Sequence, residues 1–311
     1  MSNPNSSRPM YAFLLAFTGV VFFSSKAVLV KLAYNYDVDA VSLLSLRLLF
    51  ALPIYVAVLL STWSKKKMKA IKRTDYYKII ALGFLGYYLA SLLDFAGLHY
   101  LSASLERLIL FVYPTMVLLI SAVIFRKRAT TAQKIAVGIT YFGVSLAFFR
   151  NTAETGSNVP LGALLIFLSA FSYAAFLVGS GNLIPRFGTK LFTSLAMIIS
   201  CVAALIHFVS VEGLNLFSFE KEVYYISVIM AIVCTVIPSF LIAEAIKQMG
   251  ASNVAVVGSF GPVSTIILAA IFLGERITVF QMIGTLIVIS GVLVLALYKD
   301  KSKDVVSKKV R

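Results

Sequence analysis

Residues 94–114 read DFAGLHYLSASLERLILFVYP. Asp94 opens the stretch among apolar neighbours. Glu106 and Arg107 stand at the head of a hydrophobic run that leads to Pro114. What these charges mean depends on the solvent around them. Of the 311 residues, 60% are apolar and only 13% charged, against about a quarter charged in an ordinary soluble chain. A chain this apolar cannot cover its own surface in water. Apolar runs near the roughly 20 residues that a bilayer core requires recur from end to end, so the solvent is lipid.

Working outward from the quoted stretch, ten helical spans are expected, at 10–32, 40–62, 77–98, 102–125, 131–149, 159–181, 189–211, 222–246, 250–273 and 279–298. The runs are continuously apolar rather than alternating, which favours helices over a barrel. The fold class is therefore all-α: a polytopic membrane protein of ten transmembrane helices. The opening MSNPNSSRPM lacks the order of a cleavable signal, so the first run is read as a retained span.

The net charge of +15 is gathered in short connectors and the tail. KKKMKAIKR (65–73), RKR (126–128), PRFGTK (185–190) and the tail from Lys299 fall on one side of the membrane. NYDVD (35–39), HYLSAS (99–104), NTAETGSN (151–158) and EGLNLFSFEKE (212–222) fall on the other. The basic side is the cytoplasmic one, which places both termini in the cytoplasm of a multi-pass cell (inner) membrane protein. Trp63 and several tyrosines near span ends suit interfacial anchors. Charge distributed in this way argues against a nucleic-acid partner and for membrane lipids.

A slide of 148 residues, the distance from Ser104 to Ser252, lays the chain on itself. Ala103 falls on Ala251, Pro114 on Pro262, Arg128 on Arg276, Thr130 on Thr278, Gln133 on Gln281 and Gly143 on Gly291. The implied unit has five spans. Because five is odd, the second unit starts from the opposite face, so the two five-helix repeats are inverted, as in many secondary transporters.

With these residues laid out, the chain resembles the EamA-type transporters of the drug/metabolite transporter superfamily. The resemblance rests on Lys31 closing span one, Arg47 in LSLRLLFAL and the prolines in FVYPTM and SFGPVS. It rests also on LGERIT (273–278) and on SLERLILFVYPT, which is similar to one bacterial branch. It covers nearly the whole chain. It implies two EamA-like repeats (10–150 and 151–298) between a short N-terminus (1–9) and a basic tail (299–311). It also implies a central cavity and movement of small metabolites, often outward. Spans five and ten would lie at the periphery, where homodimer contacts are often made. One departure stands out: Gly274–Glu275 follows span nine, where the first repeat has Arg126–Lys127.

Lys26, Arg47, Asp94, Glu106 and Arg107 are all expected in the outer half of the bilayer, Lys26 deepest at about 9 Å from the span end. A lipid-facing charge costs several kcal/mol, so these side chains should face the bundle interior. Glu106 and Arg107 point about 100° apart on one helix and must look to different neighbours. They either pair to hold helices together, the reading that suits Arg47 best, or they bind or gate cargo, the reading favoured for Lys26. Tyr113 shares a face with Glu106, and Tyr173 with Phe176 offers an aromatic wall. Pro114 and Pro262 are candidate hinges. Glu275 is expected at the outer surface, so Glu106→Ala or Arg107→Ala should impair transport more than Glu275→Ala.

Cys201 and Cys234 sit in apolar runs without metal-ligand spacing, and His99 and His207 are far apart. No metal and no cofactor is expected. There is no G-x-x-x-x-G-K-[ST], no G-x-S-x-G and no H-E-x-x-H. The chain is therefore not expected to be an enzyme. The reading is a secondary transporter, in the exporting direction, of a small-molecule substrate: polar or amphipathic organic metabolites such as amino acids, moved by alternating access. A passive channel or lipid scramblase, and less readily an intramembrane enzyme, are the alternatives.

Overall fold

The computed structural model describes residues 7–62, 72–124, 130–151, 158–181, 183–213, 215–216, 218–249, 254, 257–258 and 260–309. Trp63, the basic connectors 65–71 and 126–128, and Ala251 and Ser252 lie outside the described residues. All regular structure among those described is helical.

Among the described residues, seven helical stretches are long and apolar enough to cross a membrane: Met10–Tyr36, Ala40–Thr62, Arg73–Leu98, Ala103–Ile124, Val159–Ser180, Thr189–Glu212 and Lys221–Ile242. Three shorter apolar helices, Gln133–Phe148, Phe260–Leu273 and Val279–Val294, accompany them. Of the expected span 250–273, Val254, Val257 and Gly258 are helical and the continuous described part is Phe260–Leu273. Side chains such as Phe142, Leu164, Phe171, Ile206, Ile267 and Leu286 are exposed on the outside of the bundle. So much exposed apolar surface suits lipid and does not suit water.

The first stretch is α1 (Ser7–Ser24) and α2 (Lys26–Ala33), with a turn at Ser25 between them. The Ser24 carbonyl accepts a hydrogen bond from the Thr265 hydroxyl at 3.0 Å instead of serving the helix alone. Helix α3 (Ala40–Thr62) starts where Asp39 Oδ1 accepts from the amides of Val41 and Ser42, at 2.7 and 3.0 Å. This satisfies donors that a helix start leaves open. The third stretch is α4 (Arg73–Gly83), a π-helical segment Phe84–Leu89, and α5 (Ala90–Leu98). The fourth is α6 (Ala103–Leu110) and α7 (Tyr113–Ile124), interrupted at Phe111 and Val112. Pro114, at the second position of α7, has no amide proton to give, so the helix cannot run unbroken through it.

Helices α8 (Thr131–Asn151), α9 (Val159–Ser180), the short α10 (Leu183–Phe187) and α11 (Thr189–Glu212) follow. Then come α12 (Lys221–Ala231), a second π-helical segment Ile232–Val236, α13 (Ile237–Met249), α14 (Phe260–Leu273) and α15 (Val279–Lys309).

Several local features recur at the 148-residue interval. The two π-helical segments begin at Phe84 and Ile232. Thr130 and Gln133 cap α8 reciprocally at 2.9 and 3.3 Å; Thr278 and Gln281 cap α15 at 2.9 and 3.2 Å. Helix α1 packs on α13 as α9 packs on α5, while α3 packs on α11 and α8 on α15. The last contact is reciprocal. A Cβ on Gly143 would lie 2.9 Å from Val288, and one on Gly291 would lie 2.5 Å from Thr140, the residues that the same interval pairs. Gly143 and Gly284 also meet backbone to backbone, too closely for any side chain at either position.

Candidate functional site

The buried charges collect where α2, α5, α6 and the start of α14 meet. Lys26, the first residue of α2, donates from Nζ to Asp94 Oδ2 of α5 at 2.5 Å. The pair is almost wholly out of solvent, with Lys26 6% and Asp94 1% accessible. The pairing is one of the partnerships open to Lys26 in the sequence. Among the described residues, Asp94 Oδ1 meets no hydrogen-bond donor.

Glu106, one turn into α6, is completely buried. Neither of its carboxylate oxygens has a hydrogen-bond partner among the described residues. The charged groups around it are Asp94, Lys26 and Arg107. Its own neighbour Arg107 turns to another face, as the helix geometry requires. Arg107 Nη2 donates to Ser24 Oγ at 3.2 Å, and the guanidinium lies 5.5 Å from the Phe23 ring centroid. Lys26 lies on the same ring at 5.6 Å. Gly261 lies against the guanidinium: a Cβ there would lie 2.9 Å from Nη2. Pro262, buried, follows directly in the first turn of α14.

Arg47 of α3 is also buried, yet among the described residues it meets no carboxylate at ion-pair distance. Its guanidinium stacks 4.8 Å from the Phe95 ring centroid, a cation–π contact of the kind that Arg favours. Arg47 thus departs from the ion-pair network expected for it.

A chain of rings adjoins Arg107. Tyr113 and Tyr173 meet edge to face at 5.3 Å, Tyr173 and Phe176 stack at 6.0 Å, and Tyr87 meets Phe176 at 4.9 Å. Tyr87, Tyr113 and Tyr173 are each half-buried. Arg107 is the charged neighbour of both Tyr113 and Tyr173. Tyr87 sits in the first π-helical segment. There, Gly86 leaves room for Phe176, and the Leu85 carbonyl accepts from Ser172 Oγ at 2.8 Å. Wide turns of this type are frequent at functional sites. The structure therefore brings Lys26, Asp94, Glu106, Arg107, Tyr113 and Tyr173 into one connected region, with Arg47 linked to it through Phe95, the neighbour of Asp94.

Glu275 was missed as a site residue and does not stand free at the outer surface. Gly274, at φ +64° in the left-handed region that favours glycine, turns the chain after α14. Glu275 then reaches the first turn of α6. Its Oε1 accepts from the Ala103 amide at 2.7 Å, and its Oε2 accepts from Ser104 N at 3.2 Å and Ser104 Oγ at 2.6 Å. Ser102 Oγ accepts from the Leu105 amide at 3.3 Å. An anion at a helix N-terminus is favoured by the unpaired amides and the helix dipole. Across the same 99–102 turn, Lys31 Nζ donates to the Leu98 carbonyl at 3.1 Å and Tyr34 donates to the Phe95 carbonyl at 2.6 Å. The turn is thus held from both sides. The sequence signal was the Gly–Glu pair after α14, but nothing local pointed to the α6 amides 171 residues away.

Among the described residues, no group of His, Cys, Asp and Glu side chains could hold a metal ion. His207 Nδ1 is instead hydrogen-bonded to the Tyr88 hydroxyl at 2.7 Å.

A bundle of apolar helices with an enclosed ionic cluster and an aromatic chain defines a polytopic membrane protein, with the interior chemistry expected of a solute pathway. The profile of the EamA-like transporter family matches residues 10–149 and 160–297. The chain belongs to that family. It is 33% identical over 270 residues to the uncharacterized transporter YcbK of Bacillus subtilis (strain 168), covering 86% of each chain. It is 27% identical over 288 residues to the uncharacterized transporter YyaM of the same organism, covering 91% of this chain and 92% of that one. A solved crystal structure at 15% identity superposes with a TM-score of 0.64, covering 93% of this chain and 98% of that one; that likeness bears on the fold alone. Membership of this family, with its transporter relatives, makes the chain a transporter and not an enzyme.

Proposed function

We propose that the chain is a secondary transporter that exports small polar or amphipathic organic metabolites, amino acids among them, by alternating access. The observation that carries this reading is the adjacency of the ionic cluster and the tyrosine-lined region. Arg107 belongs to both, so a cargo with a carboxylate and an apolar body finds a charged contact beside aromatic walls. Small-molecule sites combine apolar surface with a few placed polar groups in this way.

The seven long helices and the three shorter apolar ones together make the ten spans of the proposed topology, with both termini in the cytoplasm of the cell membrane. Two inverted five-helix units are supported by the features that recur every 148 residues and by the reciprocal α8–α15 contact. A contact in which residue i meets j while the equivalent of j meets the equivalent of i is what a two-fold relation produces. Helix breaks at the site, here at Ser25 and at Phe111–Val112, are also common where transporters bind cargo near a repeat interface. Pro114 and Pro262 then act as hinges beside the site.

A metabolite-efflux screen tests the proposal. Cells overexpressing the chain should enrich the medium in one or a few amino-acid-like metabolites relative to cells lacking it. Arg107→Ala at matched membrane abundance should abolish that enrichment. An identical extracellular profile in all three strains would sink the reading.

A further inference from the structure

Among the described residues, Arg47 is the buried cation of the cluster that finds no acceptor. It is 5% accessible. Its Nε is buried without a partner, and its terminal nitrogens make no hydrogen bond or ion pair with a described residue. A guanidinium carries several N–H donors and stays charged. Lys26, by contrast, is held by Asp94 at 2.5 Å. Arg107 bonds the Ser24 hydroxyl and has Glu106 as its charged neighbour. Taking a charge out of water is costly unless something pairs with it.

The elements around Arg47 show what faces it. Helix α3 packs on α11, α12, α5 and the second π-helical segment. The titratable groups near enough to act on Arg47 are Asp94 of α5, Cys234 of the π-helical segment, Cys201 of α11 and Tyr55 of α3 itself. Asp94 is the one acid among these four, and Lys26 already holds it. Two thiols and a phenol are hydrogen-bond donors. The other charges on these helices stand further off. Leu48 and Ser45 of α3 bond Cys201 and Ala204 of α11, so that level of α11 faces Arg47. Glu212 follows at the end of α11, about 12 Å beyond Ala204 along the axis. Lys190 is at its other end, and His207 is turned to Tyr88. Lys221 and Glu222 lie in the first turn of α12, about three turns before Cys234.

The cluster therefore sets Lys26, Arg47 and Arg107 against Asp94 and Glu106. One positive charge is left over, and Arg47 carries it. Water can accept from the N–H groups but leaves that charge uncompensated.

We propose that Arg47 binds a small monovalent inorganic anion, chloride in the cell, beside Tyr55, Cys201 and Cys234. The Phe95 ring covers one side of the guanidinium, and the anion takes N–H groups that the ring leaves free, in charge-assisted hydrogen bonds. The ligand is small because Arg47 is enclosed by the four elements packed on α3. Its charge closes the count of the cluster and ties α3 to α11 and to the Ile232–Val236 segment. The site is separate from the cargo contact at Arg107 and goes beyond the transporter reading without depending on it.

Two measurements on the full-length protein test this. The first is thermal unfolding in detergent at fixed ionic strength, with chloride replaced stepwise by gluconate, an anion too large for the site. The wild-type midpoint should rise with chloride and then level off, as binding to the folded state alone requires. Bromide should act in the same way. Arg47→Gln should lose the chloride dependence. Arg47→Lys keeps the charge and should keep the rise, at a higher half-saturating concentration. A wild-type midpoint that ignores the exchange of chloride for gluconate overturns the proposal, as does a chloride dependence that survives in Arg47→Gln.

The second measurement needs no variant. Anomalous diffraction from wild-type crystals grown in bromide should place the ion against the Arg47 guanidinium. An Arg47–Asp94 ion pair in those crystals, with no bromide at Arg47, overturns the proposal. A bromide peak at Arg47 without any stabilisation by chloride marks an adventitious ion only and overturns it too. None of these outcomes touches the transporter reading, which the efflux screen tests separately.

Discussion

Lys26 and Asp94 meet at 2.5 Å with almost no access to solvent, and such a pair is felt most when one partner is removed. Breaking a buried pair strands a charge and costs about 3–5 kcal/mol, whereas replacing both partners is often far milder. Lys26→Gln and Asp94→Asn should each lower the thermal unfolding temperature of the protein in detergent, and the double substitution should recover most of the loss. Additive losses would mean that the pair is not coupled. The five buried charges were legible from the sequence as residues that lipid would not tolerate. Their partners were less so. Lys26 could be assigned only to Asp94, Glu106 or a cavity, because the choice depends on how α2, α5 and α6 cross. The stacking of Arg47 on Phe95 had no signal, since any buried ring can take a guanidinium. The close approach of Gly261 to Arg107 appears only once α6 lies against α14.

At the scale of elements, α6 is short, and its N-terminus depends on a residue far away in the chain. Glu275 fixes two backbone amides and a hydroxyl at its start. Losing charge-assisted hydrogen bonds of this kind costs about 1.5–3 kcal/mol, and losing a single neutral cap about 1 kcal/mol. Glu275→Ala should therefore destabilise the protein more than Ser102→Ala in matched thermal unfolding, and should reduce transport to an extent comparable with Arg107→Ala. Equal, small effects of the two substitutions would show that the Glu275 contact is ornamental. This replaces the expectation, made with Glu275 at the surface, that its loss impairs transport less than loss of Glu106 or Arg107. The interruption before Pro114 was legible, since proline cannot donate to the helix. The π-helical segments at Phe84 and Ile232 were not: a widened turn has no residue signature of its own, although Gly86 under Phe176 marks where one is needed.

For the whole molecule, composition and run length were enough to establish a polytopic helical membrane protein, and the 148-residue slide matched the Thr and Gln residues that cap α8 and α15, whereas the wide turns and the α8–α15 contact had no signal in it. The proposed topology has a direct check. In a background without Cys201 and Cys234, single cysteines at positions 154–157 and 214–218 should react with an impermeant maleimide added outside cells, and those at 66–70 and 303–307 should not. The opposite pattern would overturn the inverted-repeat argument together with the orientation. The central claim, that the enclosed cluster and its aromatic neighbours carry cargo through alternating access, is tested most directly by counterflow. Purified protein in liposomes preloaded with an unlabelled exported metabolite should accumulate the labelled form transiently and saturably, and Arg107→Ala and Tyr173→Ala should lose that accumulation while remaining folded. Passive, non-saturable equilibration of the label, unchanged in either variant, would contradict the account.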